Sequence, residues 1–416
     1  MKTINILFIH PNFPGQFKAL IHDLAKVSNA RLAFITRRPD AELDGVDIQH
    51  YQLPEKPKVS GDDDKVVVQE TYTYLRGANT NLLETHEVTK AALALQHRTN
   101  FKPHIVIGHI GWSGTLFMKD VFPETKIIAY CEWFYRPETS WAHFCGEELS
   151  LEQKTSIRMK NVSTTLCLES MDVGVSPMIW QRSVHPKEYQ KRIEVIHEGI
   201  DTDICRPQDR TPLNIPGASL DAKAKIITYV SRALEPARGF FTFMEAVEKI
   251  GKQDSSVQFV VVGRERPAYS DGTGDGPSYK MQAMDKFQCD WSRVHFTGKI
   301  SYEHYLSVLQ NSLVHVYMSA PLFLSWSMLE AMSCGCTIVS SDNAPVNEVI
   351  KHNETGRLVP FFDANKLSEE VLDLLNDKDE SARLGKAARE LVIKHYDKKK
   401  CVKEWKNLIL RTLENS

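Results

Sequence analysis

Short apolar runs alternate with longer amphipathic stretches along most of this chain. INILFIH (4–10) opens the series, followed by a Pro/Gly turn and a helical pattern from about Gln16 to Val27. RLAFITR (31–37), HIVIGHI (104–110) and KIIAYCEW (126–133) read as further strands; the last two have the unbroken apolar character of strands buried on both faces. A helical stretch near 151–170 precedes DVGVSP (172–177) and IEVIHEG (193–199). The alternation then restarts. KIITYVS (225–231), VQFVVVG (257–263), VHFTG (294–298), LVHVYMS (313–319) and CTIVSSD (336–342) predict five more strands. Helical patterns fall between or after them at about 239–251, 277–287, 302–311, 327–334 and 364–376.

Two successive strand–helix series predict an α/β chain with two doubly wound, Rossmann-like domains. A length of 416 residues agrees, being too long for one ordinary core. The boundary is expected in DTDICRPQDRTPLNIPG (201–217), which is rich in Pro and polar residues. The tail CVKEWKNLILRTL (401–413) places Val402, Trp405, Leu408, Ile409 and Leu413 on one helical face. EKPKVSGDDDK (55–65) and SDGTGDGPS (270–278) read as loops.

Bulk composition narrows the function by exclusion. Lys+Arg 51 against Asp+Glu 53 leaves a formal charge of -2, which does not describe a strongly basic nucleic-acid binder, so no nucleic-acid partner is expected. The first strand alternates too much for a signal peptide, and no apolar run is long enough to span a bilayer. A cytoplasmic protein with reduced thiols is therefore expected. The eight cysteines are scattered, and CGC (334–336) lacks zinc-ligand spacing. The sequons at Asn161 and Asn353 carry little weight in that setting.

In open α/β sheets ligands gather at the carboxyl ends of strands, so the residues after each strand are the place to look for chemistry. Arg232 and Arg238 flank a turn before a helix, a pairing suited to a diphosphate, the alternative being two solvated arginines. Gly263 and Arg264 follow one strand and Lys299 another; each is either a nucleobase or phosphate contact or part of a surface loop. The stretch PLFLSWSMLEAMSCG (321–335) holds Ser325, Trp326, Ser327 and Glu330. One reading sets free amides at 325–328 toward a phosphate, with Glu330 accepting ribose hydroxyls. The other is a capping box, with Ser327 at the N-cap and Glu330 at N3. DDD (62–64) sits in a polar loop rather than at a strand end, so it does not read as a metal-binding Asp-x-Asp site. Neither G-x-G-x-x-G after the first strand nor a P-loop is present.

YVSRALEPARGFFTFMEAV, FVVVGRE, VHFTGKIS, SWSMLEAMSCGCTIVSSDNAPVNEVI and TGRLVP stand in an order that resembles the C-terminal domain of retaining glycosyltransferases of the GT-B fold, family 4 (group 1). ILFIHPNFPGQF, HIVIGHIGWSG, YCEWFYRPE, DVGVSPMIWQ and IEVIHEGIDTDICRP extend the resemblance over the first half, with YCEWFYRPE closest to a bacterial polysaccharide-type subgroup. It implies an acceptor-binding domain over 1–203 and a donor-binding domain over 204–394, separated by a deep cleft, with a helix over 395–416 crossing back to the first domain. It also implies a hexosyltransferase that moves a sugar from a UDP- or GDP-sugar to a saccharide or glycolipid hydroxyl, with no metal or other cofactor.

Residue by residue, the resemblance assigns Arg232 to the donor diphosphate and Glu330 to ribose. Gly15 matches a loop glycine near the donor phosphates, and His109 a histidine near the transferred sugar, although a lone histidine after a strand also suits a core role. Arg238 stands where the family usually has lysine. Glu132, Arg136 and Glu138 are candidates for the acceptor side, against a purely structural loop. One departure matters. The first of the family's paired glutamates, which touches donor-sugar hydroxyls, is Leu322 here, and the glycine-rich turn is Phe323, Leu324 and Ser325. This keeps open a non-catalytic nucleotide-sugar or glycan binder, and a sugar-nucleotide epimerase or hydrolase of the same architecture. Peripheral contact with the inner membrane face through EQKTSIRMK (152–160) stays open too, against a solvated helix face.

Overall fold

The computed structural model describes residues 3–27, 29–54, 76–112, 114–265, 276–322 and 324–414. The loop expected at 55–65 with its DDD, most of the loop at 270–278, and Phe323 lie outside them. The chain divides into two compact units, Met1–Gly199 with Lys399–Ser416, and Ile200–Lys398.

The first unit holds seven strands: β1 (Ile4–Ile9), β2 (Ala30–Thr36), β3 (Val46–His50), β4 (Ile105–His109), β5 (Lys126–Tyr130), β6 (Val173–Ser176) and β7 (Ile193–Val195). They form one sheet in the order β3-β2-β1-β4-β5-β6-β7, and every pairing is parallel. Successive side chains of a strand face opposite sides of the sheet, so each strand feeds two cores. Leu7, Ile9, Val106 and Ile127 pack on one side with Leu95 of the helix Arg76–Thr99. Ile6, Phe8, Ile107 and Tyr130 pack on the other. Val402, Trp405, Leu408 and Ile409 of the last helix, Lys398–Glu414, join that second core, so the apolar face read in the tail is buried on the first unit.

The second unit repeats the winding. A small antiparallel hairpin, β8 (Leu213–Ile215) and β9 (Ala218–Leu220), turns at Gly217, whose φ is 82°. Then come β10 (Lys225–Ala233), β11 (Val257–Arg264), β12 (Val294–Gly298), β13 (Val314–Tyr317), β14 (Thr337–Ser341) and β15 (Arg357–Val359). Their order is β12-β11-β10-β13-β14-β15, again all parallel. The helix after β10, Phe240–Gln253, buries Phe240, Phe243, Met244, Val247 and Ile250, the i, i+3, i+4 pattern of one helical face. Among the described residues no helix is long and apolar enough to cross a membrane.

Both sheets reverse their strand order once, between β1 and β4 and between β10 and β13. Those are the switch points at which doubly wound sheets bind ligands beyond the carboxyl ends of their strands.

The expected single helix at 151–170 is two helices, Leu151–Met159 and Val162–Ser170. The first buries none of its residues, and the membrane-contact candidate at 152–160 falls on it.

Candidate functional site

In the first unit, the residues after β1, β4 and β5 converge. His10 directly follows β1 and His109 ends β4; their ring centroids lie 5.3 Å apart, edge to face. His109 Nδ1 accepts from the Gly111 amide at 3.1 Å, which puts the ring proton on Nε2, 3.1 Å from Glu132 Oε2. Gln16 donates to the other oxygen of Glu132 at 3.2 Å. Burial alone would raise the Glu132 carboxyl, but the hydrogen bond and charge of His109 and the Gln16 amide outweigh it and hold the group below its usual value. Glu132 keeps 28% of its side chain exposed whereas His109 keeps 3%, so the carboxylate is the accessible part of the pair.

His10 is almost fully buried, and burial, followed by the neighbouring His109, lowers its pKa to about 3. Its Nδ1 meets the backbone of Asn12, and its Nε2 has no hydrogen-bond partner among the described residues. Gly15, at φ 57°, lies against this ring: a Cβ there would fall 2.8 Å from His10 Nδ1. Behind His109, at a centroid distance of 5.2 Å, is the buried Tyr130, stacked on Trp405 of the last helix. Tyr130 donates its hydroxyl to Glu198, which also meets His197 Nε2 at 3.3 Å. Arg136 donates to the Val184 carbonyl and lies over the Phe134 ring, and Glu138 sits in the short turn Pro137–Thr139. The structure thus groups Gly15, His109 and Glu132 in one polar cluster and ties Arg136 into its own loop.

In the second unit, a bulge in β10 between Val230 and Ala233 breaks the register with β11 and leaves Arg232 exposed at the strand's end. Gly263 fits beside it because a Cβ there would meet Leu234 at 2.8 Å and the Ser231 carbonyl at 3.0 Å. Arg264 pairs with Ala233, and Lys299 directly follows Gly298, the partner of Val262. Arg232, Gly263, Arg264 and Lys299 therefore share the carboxyl edge of three adjacent strands.

Arg238 behaves differently. It is 5% exposed and donates Nη1 to Ser319 Oγ at 2.7 Å, across the β10/β13 switch point. Its loop is clamped there. Ala320 donates to the Ala237 carbonyl at 2.8 Å, and Tyr229 donates its hydroxyl to the Arg238 carbonyl at 2.8 Å. Gly239, at φ 64°, approaches so closely that a Cβ would lie 2.3 Å from Met318 Cβ.

The helix after β13 corrects both readings of its entrance. It spans Trp326–Ser333 and its N-cap is Ser325, whose hydroxyl accepts from the Ser327 amide at 3.3 Å. Ser327 is thus inside the helix, and the capping box proposed on it does not form. Nor are the amides at 325, 327 and 328 free. Ser325 donates to Tyr317 Oη at 2.9 Å, and Met328 donates to the Ser325 carbonyl at 3.2 Å. The shift follows from the hydroxyl of Ser325, which caps two residues earlier than the spacing suggested. Glu330, released from any capping role, accepts from Tyr302 Oη at 2.8 Å on Oε1 and from Tyr305 Oη at 2.7 Å on Oε2. Leu322 is half-buried, with its amide bonded to the Ala320 carbonyl at 2.7 Å. At the other end Gly335, at φ 80°, stops the helix.

Sequence reasoning passed over His10, Gln16, Tyr130, His197, Glu198, Ser319, Tyr302 and Tyr305. His10, Ser319, His197 and Glu198 each follow a strand within three residues, so the scan of strand ends would have reached them. Tyr302 and Tyr305 carry no such signal; only the packing of two helices brings them to Glu330.

Comparison with known proteins agrees with this layout. The sequence model described as "Glycosyl transferase family 4 group" matches residues 28–205, and "Glycosyl transferases group 1" matches residues 214–391. N-acetyl-alpha-D-glucosaminyl L-malate synthase of Bacillus anthracis is 24% identical over 54% of this chain and 55% of its own. Alpha-maltose-1-phosphate synthase of Mycolicibacterium smegmatis is 27% identical over 54% and 56%. The chain thus spans about half the length of these curated relatives. Among solved structures, sucrose-phosphate synthase of Thermosynechococcus elongatus superposes with a TM-score of 0.71 at 17% identity, covering 99% of this chain and 100% of that one. Anabaena HepE in complex with UDP and glucose gives 0.69 at 14%, covering 98% and 99%. These likenesses are of fold, two Rossmann-like domains of the GT-B kind. With one family's sequence patterns covering both units in succession, the chain belongs to the family 4, group 1 glycosyltransferases.

Proposed function

We propose that this protein is a retaining, metal-independent glycosyltransferase that moves a sugar from a nucleoside-diphosphate donor to a hydroxyl of a saccharide or glycolipid. The observation that carries the reading is the second unit's switch point. There a buried arginine, Arg238, is fixed against Ser319, with Arg232 exposed on the neighbouring strand end. A departing diphosphate carries two or more negative charges, which arginine guanidinium groups meet with strong charge-assisted hydrogen bonds. Arg232 and Arg238 would stabilise that charge as the glycosyl–phosphate bond loosens. The acceptor hydroxyl then attacks from the face the diphosphate leaves, and the diphosphate takes its proton.

The first unit supplies the acceptor-side groups. Both nitrogens of His109 are engaged by Gly111 and Glu132, which suits an orienting role rather than that of a free base. Glu132, partly exposed and ionised, is the acceptor of choice for a sugar hydroxyl, ahead of Arg136 and Glu138. The complexes of HepE with UDP and glucose and with UDP-glucose support a uridine nucleotide donor. Leu322 favours a second reading, a nucleotide-sugar binder without turnover, because no carboxylate stands at that position.

Incubation with UDP-, GDP- and ADP-sugars, with and without oligosaccharide acceptors, separates the two. Acceptor-dependent release of nucleoside diphosphate that survives EDTA is the expected result. Tight nucleotide binding with no release would refute transfer, and a strict need for added Mg²⁺ or Mn²⁺ would refute the metal-free mechanism.

A further inference from the structure

Trp112 ends the single turn Ile110–Trp112 that follows β4 directly. That turn is pinned to the sheet. Ile110 is fully buried, and the Gly111 amide donates to His109 Nδ1 at 3.1 Å. A side chain at 111 has no room, since a Cβ would fall 2.9 Å from His109 Cε1. On this fixed turn the Trp112 side chain is nevertheless 38% exposed. Its ring lies 6.4 Å from that of the buried His109, whose Nε2 meets Glu132 at 3.1 Å. One buried imidazole is thus flanked by an exposed indole and a partly exposed carboxylate.

A hexopyranose has two kinds of surface to match. Its axial C–H bonds gather on a face, and its hydroxyls stand around the rim. An indole face is apolar and carries the negative side of the ring quadrupole, so it suits the C–H face. An ionised carboxylate only accepts, so it suits the hydroxyls. Among the described residues, Gln16 on one oxygen of Glu132 and His109 on the other are its side-chain hydrogen bonds, which leaves acceptor capacity for a sugar. The charge of the cluster narrows the ligand further. Glu132 is held ionised, His10 is kept neutral by burial, and no lysine or arginine among the described residues pairs with Glu132. A carboxylate with no such counter-ion repels phosphate, sulfate and uronate groups.

We propose that Trp112 and Glu132 form a subsite for one neutral hexopyranose of the acceptor, the indole covering the sugar's C–H face and Glu132 accepting its hydroxyls. The inference rests on the acceptor-side reading of Glu132 above. It adds the platform residue and the class of acceptor, a neutral saccharide rather than a phosphorylated or acidic one.

Titration of the full chain with maltose, cellobiose, lactose, glucose 6-phosphate and glucuronate tests it, followed by saturation-transfer NMR in wild type, Trp112→Ala, Trp112→Phe and Glu132→Gln. A neutral disaccharide should bind wild type best, with saturation strongest on the C–H protons of one ring face. Trp112→Ala should weaken that binding by on the order of tenfold, the value of covering the exposed part of one indole. Trp112→Phe keeps a flat aromatic face and should stay within about threefold of wild type. Glu132→Gln should weaken the neutral sugar roughly fivefold to tenfold and narrow its advantage over the anionic ones. Unchanged disaccharide affinity in Trp112→Ala overturns the proposal, as does tighter binding of glucose 6-phosphate or glucuronate to wild type. A Trp112→Ala variant that loses affinity for UDP-glucose but keeps the disaccharide also overturns it, because the indole then serves the donor. A wild type that binds none of the five sugars overturns this inference alone; binding of UDP in the same samples reports separately on the donor reading.

Discussion

Replacing Arg238 with alanine removes a 95%-buried cation, since the residue is 5% exposed, and one charge-assisted hydrogen bond of 2.7 Å to Ser319. Two consequences can be separated. The stability cost should be modest, about 1–3 kcal/mol, because Ser319 keeps its own donor bond to the Ala320 carbonyl. The loop also keeps its clamps, since Tyr229 and Ala320 bind the backbone of residues 237 and 238 and not the guanidinium. The functional cost should be larger: loss of one preorganised group facing a developing diphosphate is worth about 3–4 kcal/mol, or roughly 10²–10³ in turnover. Arg238→Lys should recover only part of this. It keeps the charge but loses the planar fork that binds Ser319 and, on the proposed reading, would reach a phosphate as well. Diphosphate release under single turnover, alongside urea denaturation, measures both costs on one sample. The reasoning fails if Arg238→Ala turns over at the wild-type rate, or if its loss of activity merely tracks the fraction unfolded.

Gly239→Ala combines a left-handed backbone with a Cβ 2.3 Å from Met318. It should destabilise the second unit by roughly 2–4 kcal/mol in urea and weaken nucleotide binding with it. Trp405→Ala empties a site that is 3% exposed and stacked on Tyr130, and should cost about 3–5 kcal/mol by the same assay. His315 is fully buried in β13, and burial lowers its pKa from 6.5 to about 3. The unfolded chain therefore binds a proton there that the native state refuses. Its contribution is complete above about pH 6.5 and falls as pH drops from there toward 3, by about 1.4 kcal/mol per pH unit. His315→Gln should flatten the stability–pH slope between pH 6 and 4 by about that amount, read from urea midpoints; an unchanged slope would show that His315 is protonated in the native state.

Much of the fold was legible because its signals are local. The apolar runs at 104–110, 126–133, 225–231 and 257–263 are strands buried on both faces, and the period of Val402, Trp405, Leu408 and Ile409 marked one buried helical face. β3 and the helix Arg76–Thr99 were missed. β3 is an edge strand with no fully buried residue, and the helix is polar over most of its length, so neither presents a sharp period.

Within the candidate site, residues placed by a strand end were readable, as His109 and Arg238 were. Contacts made by packing were not. Nothing in the spacing of Ser325 and Ser327 says which of two serines caps a helix; that depends on Tyr317 holding the Ser325 amide. Likewise the partners of Glu330 come from a helix more than twenty residues earlier in the chain. Leu322 was visible from the start as a departure. The structure adds that its amide closes a tight turn onto Ala320, so this position acts through an apolar side chain next to a fixed backbone.

The most direct test of the account is proton NMR of one reaction mixture containing the protein, an α-linked nucleotide sugar and an oligosaccharide acceptor. The donor's anomeric signal should decay as free nucleoside diphosphate and a new α-glycosidic signal grow in equal amounts. An intact donor, a free reducing sugar in place of a glycoside, or a β-linked product would contradict it.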